Sequence, residues 1–288
     1  MTNILIIKIV IVLFGLATAI FFAYHYRKTQ ESITSTAGKQ TALLGFVANF
    51  LDTLGIGSFA VSFAGRKLFN LMPDYLRFVG VINTYSVFTA ALQAILFLSI
   101  VDIDPNLIIY SCIFMVLGSI VSASFVNKIS PQVIKNIVIV AFIITLFIVV
   151  ANQFNLIHIQ ENNTDISSTR YILLYMLMFF SGCLPAFGIG YYSMIIALIF
   201  LLGFSPILAY PIMTTASALQ MSVTSMMFIK KGNIYNKSAI LMSVFGMIGV
   251  VLAVLLVSHL NSYYLKWILV VILAYNIISL FRSRKNSA

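Results

Sequence analysis

Residues 45–67 read GFVANFLDTLGIGSFAVSFAGRK, and this stretch decides how the chain is expected to fold. It is apolar enough to enter a lipid bilayer, yet its middle carries Asp52 and two glycines, Gly55 and Gly57. Each glycine costs a helix about 1 kcal/mol relative to alanine. We therefore predict a helix that ends here and starts again at Ser58. Non-helical backbone at membrane depth is tolerated only where protein or a water-filled cavity surrounds it.

The same punctuation occurs a second time, at Gly188 and Gly190 within SGCLPAFGIGYYSM. The two glycine pairs lie 133 residues apart, and Gly118 and Gly249, in similar apolar stretches, lie 131 residues apart. The two near-equal offsets predict an internal repeat. A pair of interrupted apolar segments in corresponding halves of a chain is typical of a transporter binding site.

Composition places the protein in a membrane. Apolar residues make up 61% of the 288 positions and charged residues 8%, which excludes a soluble globular domain. The net charge of +10 comes mainly from short loops, as the positive-inside rule predicts, so we expect no nucleic-acid partner. We expect a multi-pass protein of the cell membrane, with the lipid bilayer around it. Cys112 and Cys183 fit packed thiols, and no residue pattern indicates a metal or another cofactor.

The repeat divides the chain into four parts. Residues 1–40 are predicted to form an N-terminal transmembrane helix and a linker, residues 41–152 the first repeat, 153–170 an inter-repeat loop, and 171–288 the second repeat. The loops 25–40, 66–77, 128–135, 230–237 and 282–285 are basic, whereas 102–104, 152–170, 204–206 and 259–266 are acidic or weakly charged.

The loop charges predict the direction in which each repeat crosses the membrane. Since the loops on both sides of the Gly55 segment are basic, that segment is expected to enter and leave on the cytoplasmic side. The Gly188 segment is then expected to be a hairpin from the opposite side. The predicted fold class is an all-α polytopic membrane protein with inverted repeats. Each repeat has one interrupted, re-entrant hairpin and three spanning helices, and the extra N-terminal helix brings the total to seven full crossings.

The restarting half-helices are candidates for an anion site. The first turn of a helix presents unpaired N–H groups and the positive end of the helix dipole, which together favour an anion in a low-dielectric cavity. The predicted substrate-binding residues are those of the two tips and of the polar spans that follow them: Gly55, Gly57, Ser58, Asn83, Thr84, Gly188, Gly190, Tyr191, Tyr192, Ser193, Thr214, Thr215 and Gln220. The alternative is structural, with the glycines allowing close helix packing and the polar spans forming interhelical hydrogen bonds.

Asp52 is the one acidic residue within an apolar segment of the sequence. Such a residue is a functional candidate by default, here as a proton carrier or a ligand of a coupling ion. Two structural alternatives stand beside this interpretation. Asp52 could form a salt bridge to Arg66, or it could be a carboxylate at a helix end reached by interfacial water.

Two other functional classes compete with transport. An intramembrane enzyme needs a nucleophile or a metal with a base near it, and the sequence has no H-E-x-x-H, no G-x-S-x-G and no paired intramembrane aspartates. We therefore expect no enzymatic activity. A membrane scaffold or sensor that transports nothing would not require interrupted segments, and it stays open as the alternative function.

Several motifs resemble those of the TauE/SafE family of sulfite exporters, also called TSUP or DUF81 permeases. They include Gly55-Ile-Gly57, Ser181-Gly182 followed by Gly188-Ile-Gly190, the run Leu202-Gly203-Phe204-Ser205-Pro206, and Gly232-Asn233-Ile234 before a glycine-rich span. The resemblance covers roughly residues 41–281 and leaves out the first helix.

The resemblance implies secondary transport of a small anion, plausibly sulfite or an organosulfonate, by alternating access. Dimers are common among such permeases, so a homo-oligomer is a candidate assembly. The sequence departs from the family at the tips, where three or four consecutive glycines are usual. Ser58 and Tyr191 stand where a further glycine is expected. This departure bears on the identity of the substrate more than on the fold.

Overall fold

The structure is a computed structural model that describes residues 2–26, 31, 33–125, 131–157, 168–184 and 191–285. The described residues are helical throughout, with no strand among them. The helices are α1 Thr2–His25, α2 Ser35–Leu54, α3 Ser58–Phe69, α4 Tyr75–Ile100, α5 Pro105–Phe125, α6 Pro131–Gln153, α7 Ser168–Cys183, α8 Tyr192–Leu201, α9 Ala209–Lys230, α10 Asn236–Ser258 and α11 Ser262–Lys285. A short 3-10 turn, Pro206–Leu208, precedes α9.

Seven helices within the described residues are long and apolar enough to cross a membrane: α1, α4, α5, α6, α9 (with the 3-10 turn before it), α10 and α11. These are the seven segments that the sequence predicts as spans, so the all-α membrane fold is confirmed. The hairpin helices α2, α3, α7 and α8 are not among the seven. The inverted orientation of the repeats stays a prediction.

The boundary between linker and interrupted segment differs from the prediction. The sequence analysis starts that segment at about Thr41, but α2 begins at Ser35. Thr34 caps the helix because its side-chain oxygen accepts a hydrogen bond of 3.3 Å from the backbone N–H of Ala37. The polar residues before Thr41 therefore form the first turns of α2 rather than an irregular linker.

The chain divides into two compact units, and each unit takes elements from both halves of the sequence. Unit 1 comprises residues 1–105 and 214–258, with α1 to α4, most of α9 and α10. Unit 2 comprises residues 106–213 and 259–288, with α5 to α8 and α11. Compact units and predicted sequence repeats are thus different divisions of the chain, and the repeat boundaries themselves stay a prediction.

In unit 1, α2 and α3 form a helical hairpin. A methyl group placed on Gly65 of α3 would overlap the side chain of Leu44 on α2, and the two residues lie about equally far from the tip. The hairpin packs against a buried apolar cluster that includes Phe78 and Tyr85 of α4 and Met242 of α10. The interrupted segment therefore turns back on itself, as the sequence predicts.

Close glycine contacts hold α2 against α10. A methyl group on Gly249 would lie 2.5 Å from the carbonyl oxygen of Phe46 and 3.2 Å from the backbone nitrogen of Phe50. One on Gly246 would lie 2.5 Å from Nδ2 of Asn49. Only a hydrogen atom fits at these positions, so the backbones of the two helices approach closely.

Corresponding contacts recur in unit 2 at the offsets that define the repeat. A methyl group on Gly118 of α5 would overlap the carbonyl oxygen of Phe179 on α7, and one on Gly182 would overlap that of Met115. The Cys183 thiol donates to the carbonyl of Gly118, with 3.3 Å between sulfur and oxygen. These pairs correspond to Gly249 with Phe46, Gly246 with Asn49, and Gly249 with Phe50. The recurrence supports an internal repeat.

The first helix packs on α4 with much of its surface outward. Lys8, near the start of α1, donates a hydrogen bond of 2.8 Å to the hydroxyl of Ser99, near the end of α4. Ile11 and Thr18 are buried, whereas Leu13 and Ile20 on other faces are more than half exposed. An exposed apolar surface on a long apolar helix fits contact with lipid.

Glu31 ties the segment between α1 and α2 to the start of α10. Its Oε2 atom accepts hydrogen bonds from the backbone N–H groups of Lys237 at 2.7 Å and Ser238 at 3.2 Å. Its Oε1 atom accepts one from the Ser238 hydroxyl at 2.5 Å. A carboxylate in this position satisfies orphan N–H groups and complements the positive end of the helix dipole.

We expect Glu31→Gln to lower the stability of the protein by about 1–2 kcal/mol, because the charged acceptor at the helix N-terminus is lost. Thermal unfolding in detergent measures the loss. Asp102→Asn, at an exposed loop position, removes the same charge and is the control. Equal melting temperatures for the two variants would contradict a role for the Glu31 contacts.

Candidate functional site

The tip of the first hairpin depends on two glycines in conformations that other residues rarely adopt. Gly55 ends α2 with φ of 105°, and its N–H bonds to the carbonyl of Asp52 at 2.8 Å. Gly57 follows with φ of 91°, and α3 begins at Ser58. Since a side chain is disfavoured at positive φ, both glycines are needed for the turn. The predicted restart at Ser58 is what the structure shows.

The Asp52 carboxylate lies at the centre of this tip and is 8% exposed. Its Oδ1 atom accepts a hydrogen bond of 2.6 Å from the backbone N–H of Ser58, and its Oδ2 atom accepts one of 3.3 Å from Nε2 of Gln93 on α4. Asp52 thus caps α3 from six residues upstream and links the hairpin to α4. The first N–H of α3, which the sequence analysis assigns to an anionic substrate, is already engaged by this carboxylate.

The salt bridge between Asp52 and Arg66, one of the two structural alternatives, is not formed. Arg66 instead donates to the carbonyl of Met72 at 2.9 Å and to that of Pro73 at 2.6 Å. Its guanidinium also lies 4.9 Å from the ring centre of Phe78. Arg66 therefore stabilises the turn between α3 and α4, and the buried Asp52 carboxylate is held by N–H donors without that counter-charge.

The two predicted site residues on α4 bond to their own helix. Nδ2 of Asn83 donates to the carbonyl of Val79 at 2.9 Å, and the Thr84 hydroxyl donates to that of Gly80 at 2.8 Å. Thr84 lies nine residues before Gln93, which is two and a half helical turns, so it faces away from Asp52. It borders an apolar cavity together with residues of α1 and α10. The structure does not bring Thr84 to the hairpin tip.

The sequence analysis missed two residues that the structure places at the tip. Gln93 and Asn49 are both fully buried, and in each the side-chain carbonyl oxygen has no hydrogen-bond partner among the described residues. Nδ2 of Asn49 donates to the carbonyl of Gly45 at 2.8 Å. Gln93 is visible in the sequence as part of a polar stripe on α4, but nothing in the sequence pairs it with Asp52, 41 residues earlier.

The second tip is described only in part. Gly188 and Gly190 lie outside the described residues. Tyr191 precedes α8, and its carbonyl accepts a hydrogen bond of 2.9 Å from the N–H of Ile195. Tyr192 and Ser193 occupy the first turn of α8 and are buried. The restart of the helix at these residues agrees with the prediction.

The predicted residues on α9 are buried to different degrees. Thr214 and Thr215 are inaccessible, and Gln220 is half-buried. The carbonyl of Gln220 accepts a hydrogen bond of 3.1 Å from the Thr224 hydroxyl. The Thr215 hydroxyl has no hydrogen-bond partner among the described residues. A buried hydroxyl without a partner is costly, which makes Thr215 a reasonable ligand contact.

Comparison with known families bears on the second half of the chain. Residues 171–288 match the family model described as Sulfite exporter TauE/SafE. The predicted resemblance to TauE/SafE is confirmed. The TauE/SafE match covers α7 to α11, with Tyr191, Thr214 and Gln220 among the matched positions. Members of the TauE/SafE family are sulfite exporter-like membrane transporters rather than enzymes.

The first repeat is not part of the TauE/SafE match, so the extension of the resemblance to residues 41–170 remains a prediction from the motifs quoted above. Asp52 lies in this part of the chain. No curated protein and no solved structure gave a significant match.

Proposed function

We propose that this protein is a secondary transporter of a small anion in the cell membrane, with sulfite or an organosulfonate as the class of substrate and alternating access as the mechanism. The observation that carries the proposal is the break in the first hairpin, where a buried carboxylate sits between two half-helices. The seven membrane-capable helices and the TauE/SafE match support it.

Substrate contacts are assigned to the restarting helices. The first turn of α3 retains N–H groups beyond that of Ser58, since the first four N–H groups of a helix have no intrahelical partner. In unit 2, Tyr192 and Ser193 hold the equivalent place at the start of α8. Thr215 adds a buried hydroxyl on α9. A helix N-terminus in a water-poor setting stabilises an anion through these donors and the helix dipole.

Asp52 is assigned to coupling rather than to direct contact with the anion. An ionised carboxylate repels an anion, so its presence at an anion site has a use only when its charge is compensated during transport. A proton or another cation that binds Asp52 would supply that compensation. Binding of the cation would then favour binding of the anion, which is the coupling that a secondary transporter requires.

The test is flux of labelled sulfite, sulfoacetate and taurine in proteoliposomes, measured with and without an imposed cation gradient. We expect saturable flux of at least one of these compounds above that of protein-free liposomes. Size-exclusion chromatography of the same preparation establishes that the protein is folded. Absence of flux for all three from folded protein would contradict the proposed substrate class and favour a scaffold or sensor.

A further inference from the structure

The oxygens around Asp52 form a set that nothing in the proposed anion pathway uses. Two side-chain carbonyl oxygens, Oδ1 of Asn49 and Oε1 of Gln93, are buried and lack any donor among the described residues. Leaving a buried acceptor unsatisfied costs about 1–3 kcal/mol, and here two of them lie beside one carboxylate. Orphan acceptors next to a negative charge require a cation rather than an anion.

These groups lie on facing turns of α2 and α4. Gln93 reaches Asp52 directly, through its Nε2 atom at 3.3 Å. One turn earlier on each helix, Asn49 and Thr89 flank Gly246, since a methyl group there would lie 2.5 Å from Nδ2 of Asn49 and 3.0 Å from Cγ2 of Thr89. Residues three or four apart on a helix share one face, so Asn49 adjoins Asp52 and Thr89 adjoins Gln93.

The backbone supplies a further preference for a cation. Asp52 lies in the last turn of α2, where the dipole of that helix is negative. Interrupted helices in transporters bind sodium ions at such C-terminal ends and bind anions at the N-terminal ends of half-helices. The hairpin tip presents both kinds of end within a few residues, with the negative end of α2 beside Asp52 and the positive end of α3 at Ser58.

We propose that Asp52, Gln93, Asn49 and Thr89 bind a monovalent alkali cation, which couples to anion movement in the proposed function. The ligands would be the Asp52 carboxylate, the side-chain carbonyls of Gln93 and Asn49, and the Thr89 hydroxyl oxygen, whose proton is donated to the carbonyl of Tyr85 at 3.2 Å.

The chemistry of this set selects the class of ion. Hard cations prefer such oxygen ligands. One carboxylate balances one positive charge, so the occupied site would be neutral. The described residues contain no group of three His, Cys, Asp or Glu that could hold a transition metal.

The test is binding of sodium alone to the purified protein, without any transported anion. We expect radioactive sodium to bind saturably, and sodium chloride to raise the melting temperature by about 3–5 °C over choline chloride at equal ionic strength. Asp52→Asn and Gln93→Leu are expected to lose both effects. Gln153→Leu, at a glutamine that donates to the carbonyl of Tyr263, is the matched control and is expected to keep both.

Each result bears on the site independently of transport. Wild-type protein that binds no sodium, and whose melting temperature follows pH instead, would overturn the cation site in favour of a proton on Asp52. Equal stabilisation by choline would overturn it as an ionic-strength effect, and sodium binding retained in Gln93→Leu would overturn the proposed ligand set. Because the assay contains no anion, failed sodium binding is distinguishable from failed anion flux.

Discussion

Replacing Asp52 by asparagine is expected to abolish gradient-driven accumulation of the transported anion while exchange of the anion across the membrane continues. Asparagine has nearly the same shape, and its side-chain oxygen still accepts the hydrogen bond from Ser58 that caps α3. Rotation of the Gln93 amide would satisfy the new side-chain NH2 group. The hairpin is therefore expected to keep its geometry, and only the negative charge that binds the coupling cation is removed.

The two kinds of flux separate coupling from folding. Accumulation against a gradient is expected to fall by about tenfold or more, a change of the size that coupling free energies of 1–3 kcal/mol produce. Exchange of labelled for unlabelled anion requires no net movement of the cation and is expected to stay close to wild type. Asp102→Asn, at an exposed loop position, is the matched control. Accumulation by Asp52→Asn at the wild-type level would reduce Asp52 to a structural cap.

Alanine in place of Gly249 or Gly118 is expected to destabilise the protein by about 2–3 kcal/mol, the cost of overpacking a tight contact. At Gly249 the added methyl group meets the backbone of α2, and at Gly118 it meets the backbone of α7. Neither backbone can move aside without shifting a whole helix. Both substitutions therefore act against the usual effect, since alanine stabilises a helix interior relative to glycine by about 1 kcal/mol.

Gly15 in α1 provides the control for this reversal of sign. A methyl group there meets nothing within 4 Å, so Gly15→Ala is expected to leave the melting temperature unchanged or to raise it. Thermal unfolding of the three variants in the same detergent makes the comparison. A raised melting temperature for Gly249→Ala or Gly118→Ala would show that the helices at that contact are farther apart than the structure places them.

The fold was largely predictable from the sequence because its signals are local. A run of about twenty apolar residues predicts a span by itself, and the glycines at 55 and 57 predict the break between α2 and α3 without knowledge of any other helix. The start of α2 was missed because its first turns are polar. That start is fixed by Thr34, a helix cap that lies within a stretch expected to be linker.

The site was predictable only in part because its contacts join distant residues. Asp52 was identifiable as a lone acid in an apolar segment, but Gln93 becomes its partner only through the packing of the hairpin on α4. Thr84 was chosen over Gln93 because both are polar residues in one span, and the sequence does not show which face of that span meets the hairpin. Half a helical turn separates the two choices.

The packing of α2 on α10 has a consequence for biogenesis. The ribosome makes the first hairpin early, but the glycine surface that receives it belongs to residues 236–258 and emerges some two hundred residues later. Chains generally fold from the N-terminus as they are synthesised, so the hairpin must wait in the translocon or the bilayer with Asp52 unprotected. Membrane chaperones that shelter polar intramembrane segments are therefore expected to matter for this protein. Nascent chains that stop before α10 are expected to be recognised as unfinished and degraded.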